Sequence, residues 1–232
     1  MADPRLVPEA LSMSDITYRE LRELSYMGAQ VLHEDSVFPV HRAGISTHIK
    51  NTNRPEDQGT VIRFTADDVP PPHTITGIAG KKGFCVISIE KAMMNAELGF
   101  GRRVLEALEM EGISFEHLPT GIDTMCVVVS REMLEGKRDK VVSRIVDMVS
   151  PDTVTIHDNM ALVATVGRGM VNHHGTAARV FKAMSDSSIN VRMIDQGSSE
   201  ISIIVGVDDV NFEKAVCAIY NEFIFSKDTR NA

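Results

Sequence analysis

Shifted against itself by 76 residues, the chain repeats. GISFEHLPTGIDTMCVVV, from Gly112, falls on SINVRMIDQGSSEISIIV, from Ser188. Ile113 meets Ile189, Phe115 meets Val191, Leu118 meets Ile194, Gly121 meets Gly197, and 127–129 meets 203–205. At the same offset RRVLEALEM, from Arg102, falls on ARVFKAMSD, from Ala178, and FCVISIE, from Phe84, on MALVATV, from Met160. A period this long exceeds a solenoid unit, so each copy reads as a small domain. Each copy runs strand, helix, strand, strand, helix. In the first copy FCVISI is a strand, and VLEAL has Val104, Leu105 and Leu108 at helical spacing. ISFEHL and TMCVVV are strands parted by a glycine-bearing turn, and DKVVSRIVDMV is a helix with Val141, Val142, Ile145, Val146 and Val149 on one face. FEKAVCAIYNEF closes the second copy as a helix. The order is the split β-α-β pattern of ferredoxin-like α+β folds.

With 232 residues, 43% of them hydrophobic, the chain has material for one to three cored domains. Its formal net charge of −8 disfavours a nucleic-acid partner, which needs clustered Lys and Arg. No apolar run approaches the ~20 residues of a membrane span, and no signal peptide is read at the start. Cys85, Cys126 and Cys217 lie singly inside apolar runs and read as reduced core residues of a cytoplasmic protein. Upstream of the repeat, ITYRELRELSYMGAQVLHE, from Ile16, carries a helix with Leu21, Leu24 and Met27 on one face, and GISTHIKNT, from Gly44, a strand. The three prolines of ADDVPPPH, residues 66–73, mark a boundary, after which TITGIAG, from Thr74, reads as an additional strand.

Catalytic signatures are missing. There is no phosphate-cradling glycine loop followed by lysine, no nucleophile elbow, and no HExxH after His33 and Glu34. GFGRRV, from Gly99, lacks the third glycine of a dinucleotide fingerprint, yet two glycines at a helix start let an anion approach free backbone N–H groups. A merely flexible helix start is the alternative reading. His173 and His174, at the matching helix start of the second copy, point in different directions without partner cysteines, which disfavours a metal site. Glu116 stands out. Strand alternation puts it with Ser114 and Leu118, opposite Phe115 and His117, and its counterpart in the second copy is Arg192. It is either a solvated edge carboxylate or the partner of a ligand ammonium whose carboxylate meets the Gly99 helix start. Those two poles suit a free amino acid, a cationic one above all.

Paired β-α-β-β-α-β copies with a polar, glycine-bearing hairpin resemble tandem ACT domains, the amino-acid-sensing modules of biosynthetic enzymes. Nearly end to end, the chain resembles the C-terminal part of the monofunctional, lysine-sensitive aspartate kinases. The motifs are ADPRLVPEA (from Ala2), ITYRELRELSYMGAQVLHE (from Ile16), NTNRPEDQGTVI (from Asn51), GFGRRVLEAL (from Gly99), ISFEHLPTGID (from Ile113) and INVRMIDQGSSEISI (from Ile189). The resemblance implies an α+β fold with ACT1 at 82–158 inserted in ACT2 at 74–81 plus 159–226. A remnant of an amino-acid-kinase domain at 1–66 and a Pro-rich linker at 67–73 come before them. It implies a regulatory region of the enzyme that phosphorylates L-aspartate with ATP and Mg for lysine, threonine and methionine synthesis. The kinase domain with its catalytic lysine is not found here, so the chain is expected to be inactive alone and to need no cofactor of its own. The chain reads as a fragment, either truncated or a separate regulatory subunit pairing with a full-length aspartate kinase chain.

By resemblance L-lysine, or alternatively L-threonine, acts as feedback inhibitor at an interface of two ACT1 modules in a homodimer. The residues carried over are Met94, Glu97, Gly99 and Phe100 at the helix start. Ser114, Phe115, Glu116, Thr120, Gly121, Ile122 and Asp123 form the hairpin wall, with Glu116 facing the ligand amino group and Gly121 giving a tight, close-approach turn. Some family members carry Ser and Glu where this chain has Gly121 and Ile122. Arg5 matches an arginine that approaches the nucleotide, and Gln30 stands where many members have lysine.

Overall fold

The computed structural model describes residues 1–29, 32, 39–64, 70–71 and 73–225. Most of the 67–73 linker, with Gln30, His33 and Glu34, lies outside the described residues. The chain divides into two compact units, one of residues 1–81 together with the chain from Leu162 onward, the other of residues 82–161.

The first unit opens with a three-stranded sheet. Strand β1 (Asp15–Thr17) leads into helix α1 (Tyr18–Tyr26), and β2 (Thr47–Ile49) and β3 (Thr60–Arg63) follow. The strand order is β1-β3-β2, with β1 parallel and β2 antiparallel to β3. The TYRE sequence explains where α1 starts. Thr17 caps the Glu20 amide while the Glu20 carboxylate takes the Thr17 amide, a reciprocal capping box. Leu21, Leu24 and Met27 are buried on one face of the helix, as their spacing predicts.

Strand β4 (Gly77–Glu90) is a single 14-residue strand where two were expected, at 74–80 and 84–90. Gly83, at φ 88°, absorbs a local distortion inside the strand without ending it. Helix α2 (Phe100–Glu109), strand β5 (Thr124–Ser130), the short helix α3 (Arg131–Leu134) and helix α4 (Arg138–Val149) follow. Strand β6 (Thr153–Val166) carries the chain back into the first unit. There helix α5 (Thr176–Asp186), strands β7 (Met193–Asp195) and β8 (Ser202–Asp208), and helix α6 (Phe212–Ile224) complete the second copy. Strand order is β5-β4-β6 in the unit of residues 82–161 and β4-β6-β8-β7 in the other.

In the 82–161 unit the antiparallel pairs Cys85 with Val129, Ile87 with Val127 and Ile89 with Met125 share one face of the sheet. They form one buried cluster with Val104, Ala107 and Leu108 of α2 and with Val141, Ile145 and Val149 of α4. Val146, expected on that face, is exposed, because the residue after Ile145 is turned about 100° around the helix.

The repeat is real but not uniform. The left-handed residues opening α2 and α5, Gly99 and Gly175, keep the 76-residue offset. The hairpins do not. The Glu116 amide bonds the Val128 carbonyl and the Arg192 amide bonds the Gly206 carbonyl, so the second limbs stand 78 residues apart. Val127 therefore corresponds to Val205, not to Ile203. A slip of two residues leaves every side chain on its original face, so the apolar pattern matches at either offset.

All three cysteines are free thiols. Burial, with the hydrogen bond from its Sγ to Asp158 Oδ1 at 3.0 Å, pushes the Cys85 thiol up to about 11. Arg138 holds that aspartate ionised. Native protein treated with an alkylating reagent at pH 8 should therefore leave Cys85 unmodified by peptide mass spectrometry, and urea should expose it. Labelling of folded Cys85 as fast as a free thiol would contradict this environment.

Candidate functional site

The start of α2 is built by a loop that folds back on the tip of the following hairpin. Where β4 ends, the Lys91 amide donates to the Asp123 carbonyl, the Ala92 amide to Asp152 Oδ2 at 2.7 Å, the Met93 amide to Asp123 Oδ1 at 2.9 Å, and the Asn95 amide to the Ile122 carbonyl. Met93 is held at φ 61°, and a 3₁₀ turn, Met94–Ala96, leads to Gly99 at φ 76°. A non-glycine residue in the left-handed region needs such pinning, and four hydrogen bonds supply it. Beyond Gly99 the first turn of α2 presents amides that no helical carbonyl accepts.

Charge at this helix start is already organised. Lys91 Nζ lies 2.5 Å from Glu97, Arg103 pairs with the same carboxylate, and Lys91 also reaches the Val149 carbonyl. The Lys91 hydrogen bond, aided by Arg103, holds the Glu97 carboxyl below the ordinary value. Glu97 thus braces the loop from inside. Met94 and Phe100 are buried in the cluster beneath, while Leu98 at 95% exposed, Met93 and Ile122 stand outside it.

Residues 113–123 were expected to hold a strand, and they form an edge segment instead. The Glu116 amide bonds the Val128 carbonyl, the Val128 amide bonds the His117 carbonyl, and the Cys126 amide bonds the Pro119 carbonyl. Only isolated bridges result, His117 to Val128 and Thr120 to Met125. Pro119 accepts from Cys126 but has no N–H to return, which breaks the ladder. Gly121 is not the close-approach glycine expected. Its φ is outside the left-handed region, and an added Cβ would meet only the Thr124 carbonyl at an ordinary 3.6 Å.

The predicted residues therefore divide. Met94, Glu97, Gly99, Phe100, Ile122 and Asp123 are gathered around one loop. Glu116 is half-buried on the edge segment with Phe115 exposed beside it. Ser114 turns its hydroxyl to Met133 Sδ at 3.1 Å, and the Thr120 hydroxyl bonds the Leu118 carbonyl within its own loop. Lys91, Arg103 and Asp152 escaped sequence reading. Only the loop's shape gives them a role, for nothing in their spacing announces a shared carboxylate or an amide acceptor.

The second copy holds the equivalent feature in the other unit, a cavity of about 540 Å³ at the start of α5, lined by His173, His174, Gly175 and Glu200 among others. Glu200 takes the Asn172 amide, and the Thr176 hydroxyl lies 3.4 Å from His173 Nδ1. Among the described residues no group of three His, Cys, Asp or Glu side chains could hold a metal ion, and no helix is long and apolar enough to cross a membrane.

Residues 163–223 match the ACT domain family, and residues 1–51 the amino acid kinase family. Aspartokinase 3 of Bacillus subtilis is 42% identical over 222 residues, which is 95% of this chain and 48% of the relative. The chain is an aspartokinase homologue. The crystal structure of Clostridium acetobutylicum aspartate kinase superposes with a TM-score of 0.92 at 55% identity, over 96% of this chain and 51% of that one. Escherichia coli aspartokinase III, solved in complex with lysine and aspartate, shares the fold at a TM-score of 0.74 and 22% identity, over 96% of this chain and 49% of that one. The homologue spans about half the length of the aspartokinases it matches.

In this aspartokinase homologue the amino-acid-kinase segment places Arg5 beside a cavity of about 760 Å³ bounded by residues of 1–6, α1 and α6. Arg5 is exposed and bonded to Asp3 at 2.7 Å.

Proposed function

We propose that this chain is the regulatory, amino-acid-binding part of an aspartate kinase, the enzyme that transfers phosphate from ATP to L-aspartate, with L-lysine as its feedback inhibitor. The reading rests chiefly on the pinned loop at the start of α2. It offers helix-terminal amides for a ligand carboxylate, and the resemblance supplies Glu116 for the ammonium. The apolar side chains standing outside the core there, Leu98, Met93, Ile122 and Phe115, favour a half-site that a second copy completes. Lysine bridging two chains would favour one arrangement over another, and that difference in affinity is what regulation requires.

Thermal unfolding against a panel of free amino acids tests the reading. Lysine at a hundred times its dissociation constant should add about 2.7 kcal/mol to native stability. Glu116→Ala should remove that gain, and sedimentation should show lysine strengthening a dimer. A shift with threonine instead would keep the site and change the effector. No shift with any amino acid, and a dimer indifferent to lysine, would sink the proposal.

A further inference from the structure

In the unit that holds the second copy, the turn between β6 and α5 carries the sequence Gly167-Arg168-Gly169. Both glycines lie flush on the chain before β4. A Cβ at Gly167 would come within 2.7 Å of Ile75 Cα and the Thr76 nitrogen, and one at Gly169 would collide with the His73 carbonyl and reach Thr74 O at 2.8 Å. The Thr76 amide bonds the Val166 carbonyl at 2.7 Å at the same place. Between the glycines Arg168 reaches α1 and β1. Its guanidinium contacts Glu20 Oε2 at 3.1 Å and Asp15 Oδ1 at 2.8 Å, and its amide donates to Glu20 Oε1 at 2.8 Å. Thr76 Oγ1 donates to the same oxygen at 2.5 Å, and Arg63 holds the other side of Asp15. Glu20 is fully buried.

Glu20 and Asp15 belong to the stretch matching the amino acid kinase family, and Arg168 to the stretch matching the ACT domain. At the same repeat position the first copy has Lys91-Ala92-Met93, with a side chain at every residue and no carboxylate pair to meet. The two copies have diverged at the turn that touches α1. Two residues further on, Met170 lines the cavity at the start of α5.

We propose that Gly167-Arg168-Gly169 is a latch that couples α1 of the kinase-related segment to the ACT-related module, so that displacement of the turn before α5 is felt at α1. Arg168 is a positioning residue in this device. Its fork engages two carboxylates in a way a point charge does not reproduce.

Hydrogen exchange of the whole chain decides it. In Arg168→Met the amides of α1 should exchange on the order of a hundredfold faster, the consequence of breaking a buried ion pair, while those of α5 and β8 keep their protection. Arg168→Lys should recover part of the loss. Thr76→Val, which removes one donor to Glu20 and leaves the charges in place, should show the same selective pattern at roughly tenfold and decides the matter if Arg168→Met fails to fold. Unchanged α1 protection in these variants would overturn the latch. So would an equal loss in α1, α5 and β8, because Arg168 would then support the unit as a whole without coupling two parts of it.

Discussion

Glu20→Ala is expected to lower folding stability by about 3 kcal/mol, the low end for removing one partner of a buried pair, since Asp15 still faces the guanidinium. Urea denaturation at neutral pH would measure it. Burial alone would push the Glu20 carboxyl up, but hydrogen bonds from Thr76, from the Arg168 amide and from Thr17 outweigh it and hold the group below the ordinary 4.5. A carboxyl depressed in the folded state contributes fully above its unfolded value and loses that contribution as pH falls through the folded one. The difference between wild type and Glu20→Ala should therefore be flat from neutrality down to about pH 4.5 and shrink below it. Other depressed carboxyls, such as Asp158 and Glu97, cancel in that difference. A gap that stayed constant to low pH would mean that Glu20 acts by packing alone.

The start of this network was legible in the sequence, and its end was not. TYRE reads as a capping box, which orients Glu20 back toward Thr17. That the same carboxylate also closes on Arg168, 148 residues away, depends on tertiary contact that local spacing does not encode. The same limit runs through the fold. Apolar periodicity gave the helices and the inward faces of β4 and β5, because burial on one face imposes the period. It could not place the two-residue slip between hairpins, since an even slip leaves the pattern unchanged. It also drew residues 113–118 as a strand, because alternation survives where Pro119 has already broken the ladder. At the candidate site the resemblance supplied the residue roster, while the structure separates those that brace the loop from those that line its surface.

Phe100 and Phe115 make that separation measurable, for the resemblance assigns both to the effector site. Phe100 opens α2 but turns inward, 4% exposed in the cluster with Val104, Ile89 and Met125, with Lys91 Nζ 5.7 Å from its ring centroid. Its truncation removes a large buried ring from a packed interior, so Phe100→Ala should cost about 3–5 kcal/mol. The loss should fall on the 82–161 unit and weaken lysine binding only through the helix start it supports. Phe115 is 45% exposed, so Phe115→Ala should change stability by less than about 0.5 kcal/mol while removing part of the surface offered to the ligand or the second copy. Urea midpoints and lysine-induced thermal shifts on the two variants should thus move in opposite order. Equal destabilisation would mean that Phe115 is covered in solution even without ligand, as it would be in a dimer that forms before lysine arrives.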